Sequence, residues 1–196
     1  MRLSPPKTLA VILAAGSGSR FEGGGHKLNA IIGGRPLYTW VLQAALEANI
    51  GPVIVVTGAV ELLVSDLDVT VVPNPQWRTG LASSLQTGIA VARKQGAEAV
   101  VIGLGDQPFV PASAWRAVAN SPSPIAVATY QSKRGNPVRL HAEIWPALPT
   151  FGDEGARSVF PMYSNLVDEV PCEGSSSDID TLEDLERMNN EVGKNY

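Results

Sequence analysis

Apolar positions fall along the chain in two rhythms. Short runs without polar alternation occupy residues 9–13, Val53–Thr57, 69–72, Ala99–Leu104, Ile125–Tyr130, 138–140 and 166–170. They are too short for helices and rich in β-formers, so they predict strands, several of them buried on both faces. Ala99–Leu104 is the most apolar of these and belongs at the sheet centre. Between the runs, apolar residues recur at helical spacing. Leu37, Val41, Ala44, Ala45 and Ala48 follow a helix-starting Pro36, and Gly51-Pro52 ends that segment. Leu81, Leu85, Ile89 and Ala92 share one face of a helix over 81–95, which Gly88 weakens. Pro111 opens a helix to about residue 118. A last helix covers Leu182–Val192, with Thr181 and Asp184 as its capping pair. Residues 59–67, a stretch after His141 and 154–163 read as shorter helices, and Lys133-Arg134-Gly135-Asn136-Pro137 reads as a turn.

Strands alternating with helices imply parallel β-α-β units. The expected fold class is α/β, a three-layer α/β/α sandwich with a Rossmann-like, mostly parallel sheet. In such folds ligands bind beyond the carboxyl ends of the strands. Three loops follow predicted strands and should gather there: the small-residue loop from Ala14, the polar segment 74–80, and Gly105-Asp106-Gln107-Pro108.

Length and composition narrow the class. The 196 residues fit one domain, 1–196, with a core large enough to stand without disulfides. A single cysteine, Cys172, excludes an intramolecular disulfide and a multi-cysteine zinc site, and fits a reducing compartment. A net charge of −4 without a basic block argues against nucleic acid as a partner. No apolar run approaches a membrane span, and Pro5-Pro6 with a weakly basic start argues against a signal peptide. The expectation is a cytoplasmic protein with no membrane partner.

The first loop carries the candidate chemistry. Ala14-Ala15-Gly16-Ser17-Gly18-Ser19 lets a backbone turn approach a ligand, with N–H groups free to meet anionic oxygens. Arg20 and Lys27 follow as two cations flanking Gly23-Gly24-Gly25, a combination suited to a phosphate-rich ligand. It is not a P-loop, since Gly24 and Gly25 stand where Lys and Ser/Thr belong. Nor is it the dinucleotide fingerprint, because Phe21 replaces the third glycine. Asp106 reads either as a turn residue or as a ligand for Mg²⁺, a hard cation that needs only one or two carboxylates beside phosphate oxygens. Asp180 reads equally as its second ligand or as a helix cap. Ser83 and Ser84 stand in the first turn of the 81–95 helix, either as caps or as ribose or phosphate contacts. His26 and His141 are isolated, and no Ser/His/Asp triad assembles.

Taken together these segments resemble the MobA/MocA-like nucleotidyltransferases, in particular molybdenum cofactor cytidylyltransferases. LAAGSGSR with Lys27 is similar to the family's LAAGxSxRMGxxK, and NPQWRTGLASSL to its N-P-x-x-x-x-G-x-x-x-S segment. GDQP matches its GD(M/Q)P. RGNPVRL, GDEGAR and DIDTLEDL resemble its later stretches, all in the same order from Leu13 to Leu185. The resemblance implies Mg²⁺-dependent transfer of CMP from CTP to molybdopterin, with pyrophosphate leaving. It also implies transient contact with a molybdoenzyme maturation protein. Carried over, Ala14, Ala15 and Gly16 would hold the nucleotide by backbone groups, and Arg20 and Lys27 the triphosphate. Asn74, Gly80 and Ser84 would hold the nucleoside, and Asp106 and Asp180 the metal, making Arg20, Lys27 and Asp106 the catalytic set. The nucleotide part would span about 8–120 and the acceptor part about 121–180, with 135–139 and 153–157 facing the acceptor.

Two finer points follow from the same resemblance. Relatives using GTP carry Ala-Gly-Gly in the first loop, whereas this chain has Ala14-Ala15-Gly16, as in CTP users. Phe21-Glu22 replaces the usual Met-Gly, and Arg20 and Lys27 stand about two residues further apart. Alternatives are another phosphorylated acceptor, GTP as donor, or an oxidoreductase or accessory nucleotide-binding protein on this scaffold.

Overall fold

A computed structural model describes residues 7–21 and 25–192. The first strand, β1 (Thr8–Ala14), is buried along its whole length. Parallel to it lie β4 (Val53–Thr57) on one side and β6 (Ala99–Leu104) on the other. β5 (Val69–Pro73) extends the sheet beyond β4, and β8 (Lys133–His141), β7 (Ile125–Tyr130) and β9 (Val167–Pro171) extend it beyond β6. The seven strands run in the order β5-β4-β1-β6-β8-β7-β9. Only β8 is antiparallel to its neighbours, so the sheet is mostly parallel and β6 sits at its middle, as expected. β2 (Ile31–Ile32) and β3 (Arg35–Pro36) form a separate small ribbon.

Alternate residues of β1 feed opposite faces, the rule for a pleated strand. Ala10 and Ile12 join a core with α1 (Leu37–Ala48), α3 (Ala112–Ala119) and α4 (Leu182–Val192), through Val41, Trp115 and Met188. Leu9, Val11 and Leu13 join another with α2 (Leu81–Lys94), through Leu85, Ile89 and Ala92. That makes the three layers of an α/β/α sandwich. Among the described residues no helix is long and apolar enough to cross a membrane.

Gly88 has a positive purpose. A Cβ there would lie 2.6 Å from Val11 Cγ1, so its absence lets α2 settle on β1. Helix propensity alone would have Gly88→Ala stabilise the protein by about 1 kcal/mol. Overpacking against a β-branched core residue costs about 1–3 kcal/mol. We therefore expect Gly88→Ala to lower the urea midpoint; a higher midpoint would show that the contact relaxes freely.

Three segments differ from the pattern-based expectation. Residues 59–67 form no helix. Val60, Leu62 and Val64 turn inward while Glu61 and Leu63 face out, a two-residue alternation that suits extended chain, and Tyr38 Oη donates to the Leu63 carbonyl. Lys133–Pro137 is strand and not turn. The hairpin closes one step earlier, at Gln131 and Ser132, which take φ of 50° and 65° as a tight two-residue turn requires. The Gly-Asn-Pro sequence instead marks an irregularity, where pairing jumps from Val127↔Val138 to Ala128↔Gly135 and Asn136 leaves the ladder. Within 154–163 only a 3₁₀ helix, Gly155–Val159, forms. The capping pair of α4 is present, with Asp184 N–H donating to Thr181 Oγ1 and Thr181 N–H to Asp184 Oδ2.

The order of connections places the site. From β1 the chain moves outward to β4 and β5, then crosses back to β6 on the opposite side. The crevice beyond the carboxyl ends of β1 and β6 is thus the topological switch point, where α/β folds hold their ligands.

Candidate active site

Both loops at this crevice are packed tightly. Gly105 follows β6, its N–H donates to Leu13 O at 3.0 Å, and an added Cβ would touch Ala14 Cβ at 3.0 Å. On the opposite flank Ala59 N–H donates to Ala15 O, and Gly58 is squeezed between Ala15 and Trp77. The first loop is therefore wedged between the segments after β4 and β6. Gly18 takes φ +63°, a left-handed conformation that glycine adopts at no steric cost. Phe21, nearly buried, anchors the far end of the turn. Residues 22–24, where the chain departs from the family spacing, lie outside the described residues.

Asp106 stands on the turn after β6. Its carbonyl accepts from Ile179 N–H at 3.1 Å, and the Ile179 side chain is fully buried. That single backbone bond brings Asp180, distant in sequence, beside Asp106. The α4 helix is held there by Asn189, whose side chain bonds Gly33 N–H and Ile31 O on the β2–β3 ribbon.

Lys27 Nζ then bridges the two acids, at 2.6 Å from Asp106 Oδ2 and 2.8 Å from Asp180 Oδ1. Arg20 binds the other oxygen of Asp180 at 2.9 Å, from a largely exposed arm. Burial alone would lower the Lys27 pKa, but the charge and hydrogen bonds of Asp106 and then Asp180 outweigh it and hold the ammonium above its ordinary value. Asp106 Oδ1 is buried with no hydrogen-bond partner among the described residues. A cavity of about 230 Å³ lies among these groups, lined by Gly16–Arg20, Lys27, Leu81, Asp106 and Asp180.

The sequence-predicted residues divide into two groups. Ala14, Gly16, Arg20, Lys27, Asp106 and Asp180 meet at this cavity. Ala15, Asn74, Gly80 and Ser84 are not among its lining. Ala15 is buried against Gly58. Asn74 is buried too, its Nδ2 donating to Ser83 Oγ at 2.8 Å and Ser84 Oγ at 3.0 Å. Gly80 takes φ +109° and meets Gly152, where no side chain fits. These groups are consumed in shaping the start of α2, and what they deliver to the cavity is Leu81.

Two features were not legible as site residues. His26 Nδ1 accepts from Leu28 N–H at 3.3 Å, which makes Nε2 the protonated nitrogen, and Nε2–H donates to Gly16 O at 2.8 Å. One imidazole thus ties the first loop to the Lys27 turn. Two hydrogen bonds at about 1 kcal/mol each lead us to expect His26→Leu to raise the nucleotide KM roughly 10-fold; an unchanged KM would show the loop is held without it. The other is Gln107, whose buried amide donates to Asp178 Oδ1 at 2.7 Å and Ser176 O at 2.9 Å and accepts from Asn136 Nδ2 at 3.1 Å. Burial first, then the Asp106 charge, raises the Asp178 pKa, against the Gln107 hydrogen bond.

This relay borders a second cavity of about 480 Å³, adjoining the first through Leu13, Leu81 and Leu104. Its floor is apolar (Ile102, Val127, Val138, Phe160), and Arg134, Arg157, Asn136 and Asp178 supply its polar groups. Of the segments expected to face an acceptor, Gly135, Asn136, Val138, Glu154, Ala156 and Arg157 line this cavity. Arg139 does not: strand alternation after Val138 turns it to the opposite face of the sheet, level with Val101 and Ala126, where it is buried and donates to Ser123 O. Asp153 instead accepts from Leu81 N–H at the start of α2.

Comparison with known proteins decides the family. The model of the MobA-like NTP transferase domain matches residues 10–168. The chain belongs to the MobA-like NTP transferases. It is 27% identical over 199 residues to the purine catabolism protein PucB of Bacillus subtilis (strain 168), covering 93% of this chain and 96% of that protein. Among solved structures it is similar to a nucleotidyl transferase from Methanothermobacter thermautotroptrophicus, with TM-score 0.82, 25% identity and coverage of 97% of this chain and 99% of that one. A Mycobacterium tuberculosis H37Rv protein solved in complex with manganese shares the fold, with TM-score 0.76, 23% identity and coverage of 94% and 98%. The protein is accordingly a nucleotidyltransferase, an enzyme that takes an NTP and an acceptor.

Proposed function

We propose that this MobA-like transferase moves CMP from CTP to molybdopterin and releases pyrophosphate. The observation that carries this reading is the Lys27–Asp106–Asp180 cluster at the β1/β6 switch point, adjoining an apolar-floored second cavity. Arg20 and Lys27 bind the triphosphate, and the backbone of Ala14–Gly16 faces it. Asn74, Gly80 and Ser84 build the wall that presents Leu81 on the nucleoside side. Ala15, whose methyl fills the space beside Gly58, supports the smaller pyrimidine base. The flat apolar floor beneath Asn136, Asp178, Arg134 and Arg157 suits a planar heterocycle carrying a phosphate. Residues 8–120 thus serve the nucleotide and 121–180 the acceptor.

The donor set fits a divalent cation. Asp106 Oδ1 is buried and unpartnered, and Asp180 stands beside it. No cluster of three His, Cys, Asp or Glu ligands exists among the described residues, so the remaining ligands must be phosphate oxygens and waters, as Mg²⁺ prefers. When bound, Mg²⁺ supplies charge neutralisation at the α-phosphate and at the leaving pyrophosphate. In the reaction an oxygen of the acceptor phosphate forms a bond to the α-phosphorus, and the bond from that phosphorus to the bridging β oxygen breaks. Lys27 and Arg20 neutralise the charge that collects on the departing pyrophosphate. Nothing here requires a covalent nucleophile. Burial pushes up the pKa of the thiol of Cys172, the chain's one cysteine, which disfavours the reactive thiolate.

Pyrophosphate release measured with each of the four NTPs, with and without molybdopterin, tests this. CTP with molybdopterin should release it and the other combinations should not. Release with GTP, or with a different phosphorylated acceptor, would overturn the substrate assignment. Consumption of NADPH without pyrophosphate would overturn the transfer reading itself.

A further inference from the structure

We propose that Lys27 holds the place of the divalent cation in the free enzyme, so that the metal enters only together with a nucleotide that draws the lysine away. Geometry makes the first half of the case. The Nζ lies 2.6 Å from an oxygen of one carboxylate and 2.8 Å from an oxygen of the other. A divalent cation of this class binds such oxygens at about 2.1 Å. One point between Asp106 Oδ2 and Asp180 Oδ1 cannot hold both the ammonium and the ion.

Charge makes the second half. Lys27 and Arg20 already balance Asp106 and Asp180. A divalent ion arriving alone would leave two lysine and arginine charges facing two more positive charges in a half-buried site, where such repulsion is weakly screened. An ion arriving with a triphosphate brings its own negative charge, and both side chains gain phosphate oxygens to bind. Lysine suits this exchange. It is a compact point charge on a flexible four-carbon stem, whereas arginine would lock a carboxylate by a two-pronged contact. The fold also anchors the lysine backbone while leaving its head movable. Ala30 N–H bonds Lys27 O, and the preceding residue, His26, is tied by its ring to Gly16 O. Asp106 Oδ1, buried beside the bridged oxygen with no hydrogen-bond partner among the described residues, keeps lone pairs for the ion once it has entered.

The ammonium therefore does two jobs in turn. Before substrate it keeps two carboxylates together that would otherwise repel. After substrate it is a phosphate ligand. The proposal rests on the transferase reading for the divalent cation and the polyanion; the competition between lysine and metal stands on the distances and charges of the cluster.

Mn²⁺ binding followed by electron paramagnetic resonance tests it, on the full chain without turnover. Wild type should bind Mn²⁺ at least 10-fold more weakly alone than with a non-hydrolysable CTP analogue. Lys27→Met, and separately the polar Lys27→Gln, should bind Mn²⁺ at least 10-fold more tightly than wild type in the absence of nucleotide. Asp106→Ala should lose that gain when combined with either. Equal Mn²⁺ affinity of wild type with and without the analogue, or no gain in both folded lysine variants, would overturn the proposal. A gain in Mn²⁺ affinity in a protein that releases no pyrophosphate would leave this proposal standing and remove the transfer reading. Pyrophosphate release with unchanged Mn²⁺ affinity in the variants would do the reverse.

Discussion

Asp106→Ala should lower turnover by about 10³-fold or more, while the protein stays folded. One carboxylate is lost from a site that has two, and with it the charge stabilisation that a metal–phosphate centre supplies. Stability should respond differently. Asp106 Oδ1 is buried without a hydrogen bond, and the other oxygen serves only Lys27, which keeps Asp180. Breaking the ion pair with Lys27 is destabilising, but relief of the unpartnered Oδ1 and the retained Asp180 counter-ion offset it, so the net change should be small. A loss of activity together with an unchanged or higher thermal midpoint would place Asp106 among residues retained for chemistry at the expense of stability. Wild-type turnover in this variant would remove it from the site.

Lys27→Met should lower turnover by about 10²–10³-fold, the usual effect of deleting one preorganised group that meets developing charge. Its stability should fall further than that of Asp106→Ala. Without the ammonium, Asp106 and Asp180 face each other with only Arg20 to compensate, and Arg20 is largely exposed and screened. The thermal midpoint should therefore fall in the absence of metal and recover on addition of Mn²⁺. Thermal melts with and without Mn²⁺, read beside initial rates, check both parts. A variant that retains wild-type turnover would show that Lys27 serves only to hold the apo site together.

Much of this site was legible because its chemistry is encoded locally. The strand at 9–13, the small residues after it and the cations at 20 and 27 lie in one stretch, and the structure keeps them in one place. Asp106 was visible for the same reason, a lone acid at the end of an apolar strand. Asp180 was an even choice between cap and ligand. The Ile179 N–H to Asp106 O bond that pairs the two acids is a tertiary contact with no local signature. His26 looked isolated because its partners are backbone groups, one of them ten positions upstream. Asn74 and Ser84 were correctly placed near each other, but burial turned their polar groups on one another and not toward the cavity.

The fold shows the same division. Strong period patterns gave the helices at 37–48, 81–94 and 182–192 almost to the residue. Residues 59–67 misled because Val60, Leu62, Val64 and Leu67 satisfy a helical count as well as an alternating one, and only the neighbouring α1 surface decides between them. Gly135-Asn136-Pro137 carried turn composition into a strand irregularity, where it displaces Asn136 toward the second cavity. Gly88 read as a weak point of a helix and proved to be its contact with β1. In each case the competing signal was packing against an element far away in sequence.

The central claim is attack at the α-phosphate of CTP, with Lys27, Arg20, Asp106 and Asp180 arranged to release pyrophosphate. Parallel reactions with CTP labelled at the α-phosphate and at the γ-phosphate, in the presence of molybdopterin, test it most directly. The account predicts that the α label appears in the pterin product and the γ label only in pyrophosphate. Transfer of the γ label to the acceptor, or its release as inorganic phosphate, would contradict it.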